Sequence, residues 1–178
     1  MDQALAILPS AEKGYLPYYL LLVGVVAVGN SLQNLFTLHY TRRIYNGQFV
    51  PNPSLTRSGS SGAGAPNPDD SVAKLVPASP TGKDVEKARD QVTPLAARLF
   101  GTWTLITGIL RVYAAYRVDD PVLYQLGLIT HLLAAAHFSS ELLVFKTLRL
   151  TGPQIFPLVA GFGGSIWMAL QYHAYVRG

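Results

Sequence analysis

The residues of this 178-residue chain that could do chemistry are polar groups set inside long apolar runs. His137 and Glu141 stand four apart in an apolar run over about 122–145, and Thr130 lies two turns earlier on the same face. A second run, about 95–116, carries Arg98 and Thr102, again four apart, and further along Arg111. A third, about 16–38, carries Asn30, Gln33, Asn34 and Thr37 at the spacing i, i+3, i+4, i+7, which puts them on one helical face. An imidazole one turn from a carboxyl is an acid/base pair, suited in principle to the proton transfer of an intramembrane isomerase.

Other chemistries lack their residues. The chain has no cysteine, which excludes thiolate metal sites, iron–sulfur clusters, thiol nucleophiles and disulfides. Its four histidines, His39, His131, His137 and His173, show no HxxxH or HxxHH spacing, so a di-iron hydroxylase would be without ligands. Gly161, Gly163 and Gly164 fall in a hydrophobic run and follow no strand, which leaves a nicotinamide site unsupported, and no Tyr-x-x-x-Lys pair is present. No metal and no cofactor are expected. The formal charge of +4 and pI near 9.4 come from Lys and Arg residues that flank the apolar runs. With no basic patch interleaved with aromatics, nucleic acid is not an expected partner.

The elements that position these groups follow from where charge is missing. Only 13% of residues are charged, and they crowd into short tracts separated by apolar stretches of bilayer-crossing length. Four segments, 16–38, 95–116, 122–145 and 155–172, read as membrane helices, each with a proline at or near its start: Pro17, Pro94, Pro121 and Pro153. Thr93 and Asp120 stand where an N-cap oxygen is needed. Tyr15, Tyr18, Tyr19, Tyr113, Tyr116, Tyr172 and Tyr175 lie near the span ends, as an interfacial aromatic belt requires. In the last span Pro157, Gly161, Gly163 and Gly164 lower helical propensity but allow a neighbour close approach. The N-terminal Met1-Asp2-Gln3 lacks a basic signal region, so the first run is expected to be retained.

The reading is therefore an all-α integral membrane four-helix bundle, residues 1–178, with a long flexible loop between helices one and two. That loop, 51–92, is rich in Pro, Gly, Ser and Ala and is expected to be a flexible insert with a short amphipathic turn near 84–89. Residues 117–120, by contrast, make a tight hairpin that forces spans two and three to be antiparallel neighbours. Basic residues concentrate in the insert and in the 146–149 loop, which by the positive-inside bias are expected in the cytosol, with both termini in the lumen.

Depth follows from the hairpin. Residues whose numbers sum to about 239 should sit level, which pairs Arg98 with Glu141 and Thr102 with His137. An ionised group at mid-helix costs on the order of 3 kcal/mol. A buried Arg98–Glu141 ion pair, buttressed by His137 and the Asn/Gln face, is therefore expected; the simpler alternative is an Arg98 that snorkels to water. His131, alone on another face, reads as a packed or hydrogen-bonded core residue, and Arg111 as a group that snorkels or caps a luminal contact.

Several segments together resemble one family. They are Gly29-Asn30-Ser31-Leu32-Gln33, Tyr45-Asn46-Gly47, the run Ala97 to Leu105 (ARLFGTWTL), Leu123-Tyr124, and Ala136-His137-Phe138-Ser139-Ser140-Glu141-Leu142. In order and spacing these are similar to the ergosterol biosynthetic protein 28 family, in a fungal form. The resemblance covers the first three spans; the fourth matches in hydropathy alone, and the insert departs from the shorter members. It implies an endoplasmic-reticulum protein without catalytic activity that tethers the sterol C-4 methyl oxidase, the decarboxylating C-3 sterol dehydrogenase and the 3-keto sterol reductase. It also implies contact with the sterol C-24 methyltransferase, and leaves open a homodimer or a sterol headgroup at the polar cluster. Asn30, Gln33, Asn34, Arg98, Thr102, His137 and Glu141 are thus expected to form a structural network or a sterol or partner contact, with a sterol-binding protein or isomerase as the alternative.

Overall fold

The computed structural model describes residues 8–56, 71–79 and 85–176. Among them four helices are long and apolar enough to cross a bilayer: α1 (Leu16–Phe36), α4 (Pro94–Tyr116), α5 (Pro121–Leu143) and α6 (Ile155–Tyr175). Two short helices, α2 (His39–Ile44) and α3 (Pro53–Thr56), a two-stranded antiparallel ribbon, β1 (Phe49–Pro51) with β2 (Leu75–Pro77), and two 3-10 turns, Ala11–Lys13 and Val85–Lys87, complete the order. This is a multi-pass, all-α membrane architecture with a minimal sheet.

The helix starts follow local chemistry. Thr93 Oγ1 accepts from the Ala96 amide, and Asp120 Oδ1 accepts from the amides of Val122 and Leu123, while Pro94 and Pro121 occupy first-turn positions that need no donor. At the fourth span the helix begins at Ile155, two residues after Pro153. Pro157 then falls within the first turn, where its missing N–H is one of the amides a helix leaves unpaired. The first span ends at Phe36 because Thr37 turns extended (φ −139°, ψ 153°), and the chain restarts as α2.

Helix packing divides the bundle into two tight antiparallel pairs, α1 with α4 and α5 with α6, joined less intimately between α4 and α5. Small residues set the first crossing. A methyl group at Gly24 would stand 3.0 Å from the Gly108 carbonyl oxygen, and one at Gly108 would stand 3.1 Å from the Gly24 oxygen, so the two backbones nearly touch.

One end of the bundle gathers the described N-terminal residues, the α4–α5 turn and the end of α6. There Lys13 Nζ donates to Asp119 Oδ1 (2.7 Å) and the Tyr175 hydroxyl donates to the Lys13 carbonyl (2.6 Å). The Lys13 hydrogen bond holds the exposed Asp119 carboxyl below its ordinary range. At the opposite end the α2–β1 link is fastened to the α5–α6 loop. Asn46 donates to Arg149 O and Thr151 Oγ1 and accepts from the Arg149 amide, and the Gly47 amide donates to Thr147 O. A Cβ at Gly47 would collide with the backbone of Lys146 and Thr147, so the Asn46-Gly47 pair is where the two loops interlock.

The segment expected to be a flexible insert carries more structure than its composition suggests. Its described parts form the last residue of β1, α3, β2 and a single 3-10 turn (Val85–Lys87), with Ala78, Ala88 and Val92 buried. Phe49 bridges both Pro77 and Arg89, which ties two described parts of the insert to the strand that follows α2. The flexibility expected of its middle falls on 57–70 and 80–84, outside the described residues.

Candidate functional site

A cavity of about 500 Å³ opens between α4 and α5, at the end where α2 and the two loops meet. Apolar side chains dominate its wall: Val92, Ala96, Leu99, Phe100 and Trp103 on one side and Leu133 on the other. The polar groups gather at one place. Tyr45 Oη and His137 Nε2 are hydrogen-bonded at 2.6 Å; because Nδ1 faces the Glu141 carboxylate, 3.9 Å from Oε1, the imidazole proton is assigned to Nδ1 and the phenol donates to Nε2, while Thr147 Oγ1 donates to Glu141 Oε2. Burial, then the nearby Glu141 and Tyr40, push the Tyr45 phenol above its ordinary range, so it stays protonated. Glu141 is 17% exposed and His137 36%, which places this array at the cavity's edge.

Tyr45 reaches the site through aromatic packing. Its ring meets Phe100 edge-on at 5.3 Å and Phe138 nearly parallel at 6.4 Å, and His137 in turn lies 5.4 Å from Trp103. Neither Tyr45 nor Thr147 belongs to a membrane span, so periodicity within the spans gave no sign of them. The one available signal was the Tyr45-Asn46-Gly47 motif, whose three residues respectively partner His137, the Arg149 loop and Thr147.

A second polar group sits toward the opposite end. Arg111, 8% exposed, donates from Nε to Thr130 Oγ1 and from a terminal nitrogen to Thr130 O, both at 3.0 Å. Thr130 Oγ1 donates to Gly127 O (2.7 Å), which also accepts from His131 Nδ1 (2.9 Å). His131 is fully buried, 5.7 Å from the Tyr19 ring, and Tyr19 donates to the Ala160 carbonyl. The guanidinium therefore neither snorkels nor caps a luminal contact: the α4–α5 interface supplies partners that lipid cannot. His131 is a hydrogen-bonded core residue, the role its isolated position suggested.

The seven expected site residues separate. His137 and Glu141 meet at the cavity. Asn34 is buried at 2% exposure and accepts from Thr41 Oγ1 (2.9 Å), fixing α2 onto α1; its amide nitrogen has no partner among the described residues. Asn30 is half-buried and lines a small recess of about 60 Å³ that also touches Arg111, whereas Gln33 is exposed. Arg98 and Thr102 are exposed, and the Thr102 hydroxyl turns back to Arg98 O.

The expected Arg98–Glu141 ion pair is consequently not formed. The hairpin register places Arg111 beside Thr130 and Ala114 beside Gly127, within two residues of the expected constant, so depth was read correctly. Azimuth was not. At about 100° per residue, Arg98 and Thr102 project more than a quarter turn away from the cavity face carried by Ala96, Leu99, Phe100 and Trp103. Arg98 lies one turn from the helix start, where snorkelling satisfies it.

Comparison with known proteins adds a family. A family model described as Erg28 like protein matches residues 16–166. The chain is 46% identical over 177 residues to ergosterol biosynthetic protein 28 of Gibberella zeae, covering 99% of each chain. It is 34% identical over 172 residues to the Candida albicans protein of the same name, covering 97% of this chain and 96% of that one. Identity to the Saccharomyces cerevisiae protein is 30% over 169 residues, 94% and 87% of the two chains. No solved structure matches.

Proposed function

The chain belongs to the Erg28 family, and from that premise we propose that it serves ergosterol biosynthesis, the pathway for which its relatives are named, as a non-catalytic membrane scaffold. In this reading it resides in the endoplasmic-reticulum membrane with both termini luminal. It holds together the sterol C-4 methyl oxidase, the decarboxylating C-3 dehydrogenase and the 3-keto reductase, with the C-24 methyltransferase as a further partner.

The observation that supports the scaffold reading is the way polar groups inside the spans are engaged with one another. Arg111 with Thr130, Tyr19 with Ala160, and Tyr45 with His137 fix helix against helix or helix against loop. Such bonds set register and leave the outer faces apolar, as at Leu22, Val25, Ile106, Ile109, Val159 and Leu170, all exposed. A docking platform needs that combination of a rigid interior and broad lipid-level faces.

Affinity purification of the full chain in mild detergent, with identification of co-eluting proteins, tests it. Co-elution of the three C-4 demethylation enzymes is expected, together with no conversion of sterol by the chain alone. Loss of all three partners, or turnover of a sterol by the isolated protein, overturns the scaffold and favours the isomerase alternative.

A further inference from the structure

We propose that the cavity between α4 and α5 is a binding site for one sterol that carries a free 3-hydroxyl, held with its hydroxyl at the Tyr45–Glu141–Thr147 edge. The volume of about 500 Å³ falls in the range of small-molecule sites. Leu133 to Glu141 spans about 12 Å along α5, deep enough for an elongated body.

Polarity runs along that depth. Tyr45, Thr147 and Glu141 lie toward the loops that close this end of the bundle, with Leu99 at about the depth of Glu141, His137 and Trp103 side by side one turn further in, and Leu133 deeper still. A sterol in a bilayer has the same orientation, hydroxyl at the interface and rings in the hydrocarbon, so it can pass sideways from lipid into the cavity without turning over. The side is open for it: Leu99 and Leu133, both on the wall, are 63% and 51% exposed at lipid level.

Charge selects against other lipids. The wall holds one acidic side chain, Glu141, and no Lys or Arg. A phospholipid phosphate or a fatty-acid carboxylate would meet repulsion with no cation to offset it. A neutral head remains, and the flat faces of Phe100 and Trp103 suit a rigid fused-ring body, which loses little conformational freedom on binding.

The hydrogen-bond inventory selects hydroxyl over ketone. The Tyr45 and Thr147 hydroxyl hydrogens are already committed, to His137 Nε2 and to Glu141. What remains at the Tyr45–Glu141–Thr147 edge are lone pairs on the two hydroxyl oxygens and on the carboxyl group, with the His137 Nδ1–H turned toward Glu141 and the exposed Gln91 amide elsewhere on the wall. A 3-hydroxyl at that edge can donate to them, whereas a 3-ketone only accepts and would have to draw the His137 Nδ1–H away from the Glu141 carboxylate or leave the edge for Gln91. Choosing a sterol among neutral amphiphiles rests on the sterol-pathway reading above; the cavity and its hydroxyl preference do not.

The test uses the full chain in phosphatidylcholine nanodiscs with tritiated ergosterol, competed by unlabelled ergosterol or its 3-keto analogue. Saturable binding is expected, with the ketone competing at least about tenfold less well. L133W and L99W, which fill the cavity from its lipid side, should each weaken binding at least tenfold. I109W, on the α4 surface away from the cavity, should bind as the unaltered protein does. Non-saturable uptake, equal competition by the ketone, or full binding by both L133W and L99W would overturn the proposal. Co-elution of the pathway enzymes is scored on the same preparation. Enzymes without saturable ergosterol sink the pocket and leave the scaffold standing; saturable ergosterol without enzymes does the reverse.

Discussion

At Gly164 the α5–α6 pair leaves no room for one added methyl group. A Cβ there would lie 2.6 Å from Tyr19 Oη and 2.7 Å from His131 Nε2, and closer still to the edge of the imidazole ring. Neither neighbour is free to yield, since His131 is pinned by Gly127 O and Tyr19 by Ala160 O. Gly164→Ala must therefore part α6 from α5 or break one of these bonds. Overpacking costs about 1–3 kcal/mol and a lost buried hydrogen bond about 1 kcal/mol, so about 2–4 kcal/mol is expected. The matched control is Gly163→Ala, one residue away, whose Cβ would have nothing within 4 Å. Both changes gain the same helical propensity, so their difference isolates the clash. Unfolding in dodecyl maltoside micelles titrated with dodecyl sulfate, followed by tryptophan fluorescence, measures it; Trp167 packs 5.4 Å from Tyr19 and reports on this interface. Equal stability of the two alanine variants would refute the argument that His131 and Tyr19 are held in place.

Two further outcomes follow from the polar pairs. Thr130→Val strips Arg111 Nε of its partner and should destabilise the protein by about 1–3 kcal/mol in the same assay, whereas adding Arg111→Met should restore most of the loss, because no buried charge is then left unpaired. A double variant no better than the single one would contradict this. Asp119 has its folded pKa lowered by Lys13, so its stabilising effect is present above the unfolded value near 3.9 and fades as pH falls through the lower folded value. Because both partners are solvent-exposed, Asp119→Asn should cost only a few tenths of a kcal/mol at pH 7 and pH 5, a difference that shrinks below about pH 4; melting curves at these pH values check it.

The amino-acid sequence by itself determined the architecture. Hydrocarbon tolerates neither charge nor unpaired amides, so four apolar runs opened by Pro17, Pro94, Pro121 and a proline-bearing turn had to be helices, and the side-chain oxygens of Thr93 and Asp120 marked two starts to the residue. The four-residue turn 117–120 also fixed which helices are antiparallel and how deep their residues lie. The sequence picked out His137 and Glu141 because both are polar groups within an apolar run. Rotation about each helix axis was a different matter, since depth along a hairpin carries no information on azimuth. Only tertiary packing decided that Arg111, not Arg98, turns inward, because the close Gly24–Gly108 crossing and the α5 face bearing Thr130 set how α4 is rotated. Packing alone also brought Tyr45 and Thr147, from two loops about a hundred residues apart, against His137 and Glu141. Contacts of that separation depend on where loops land once helices have closed, which no local spacing encodes.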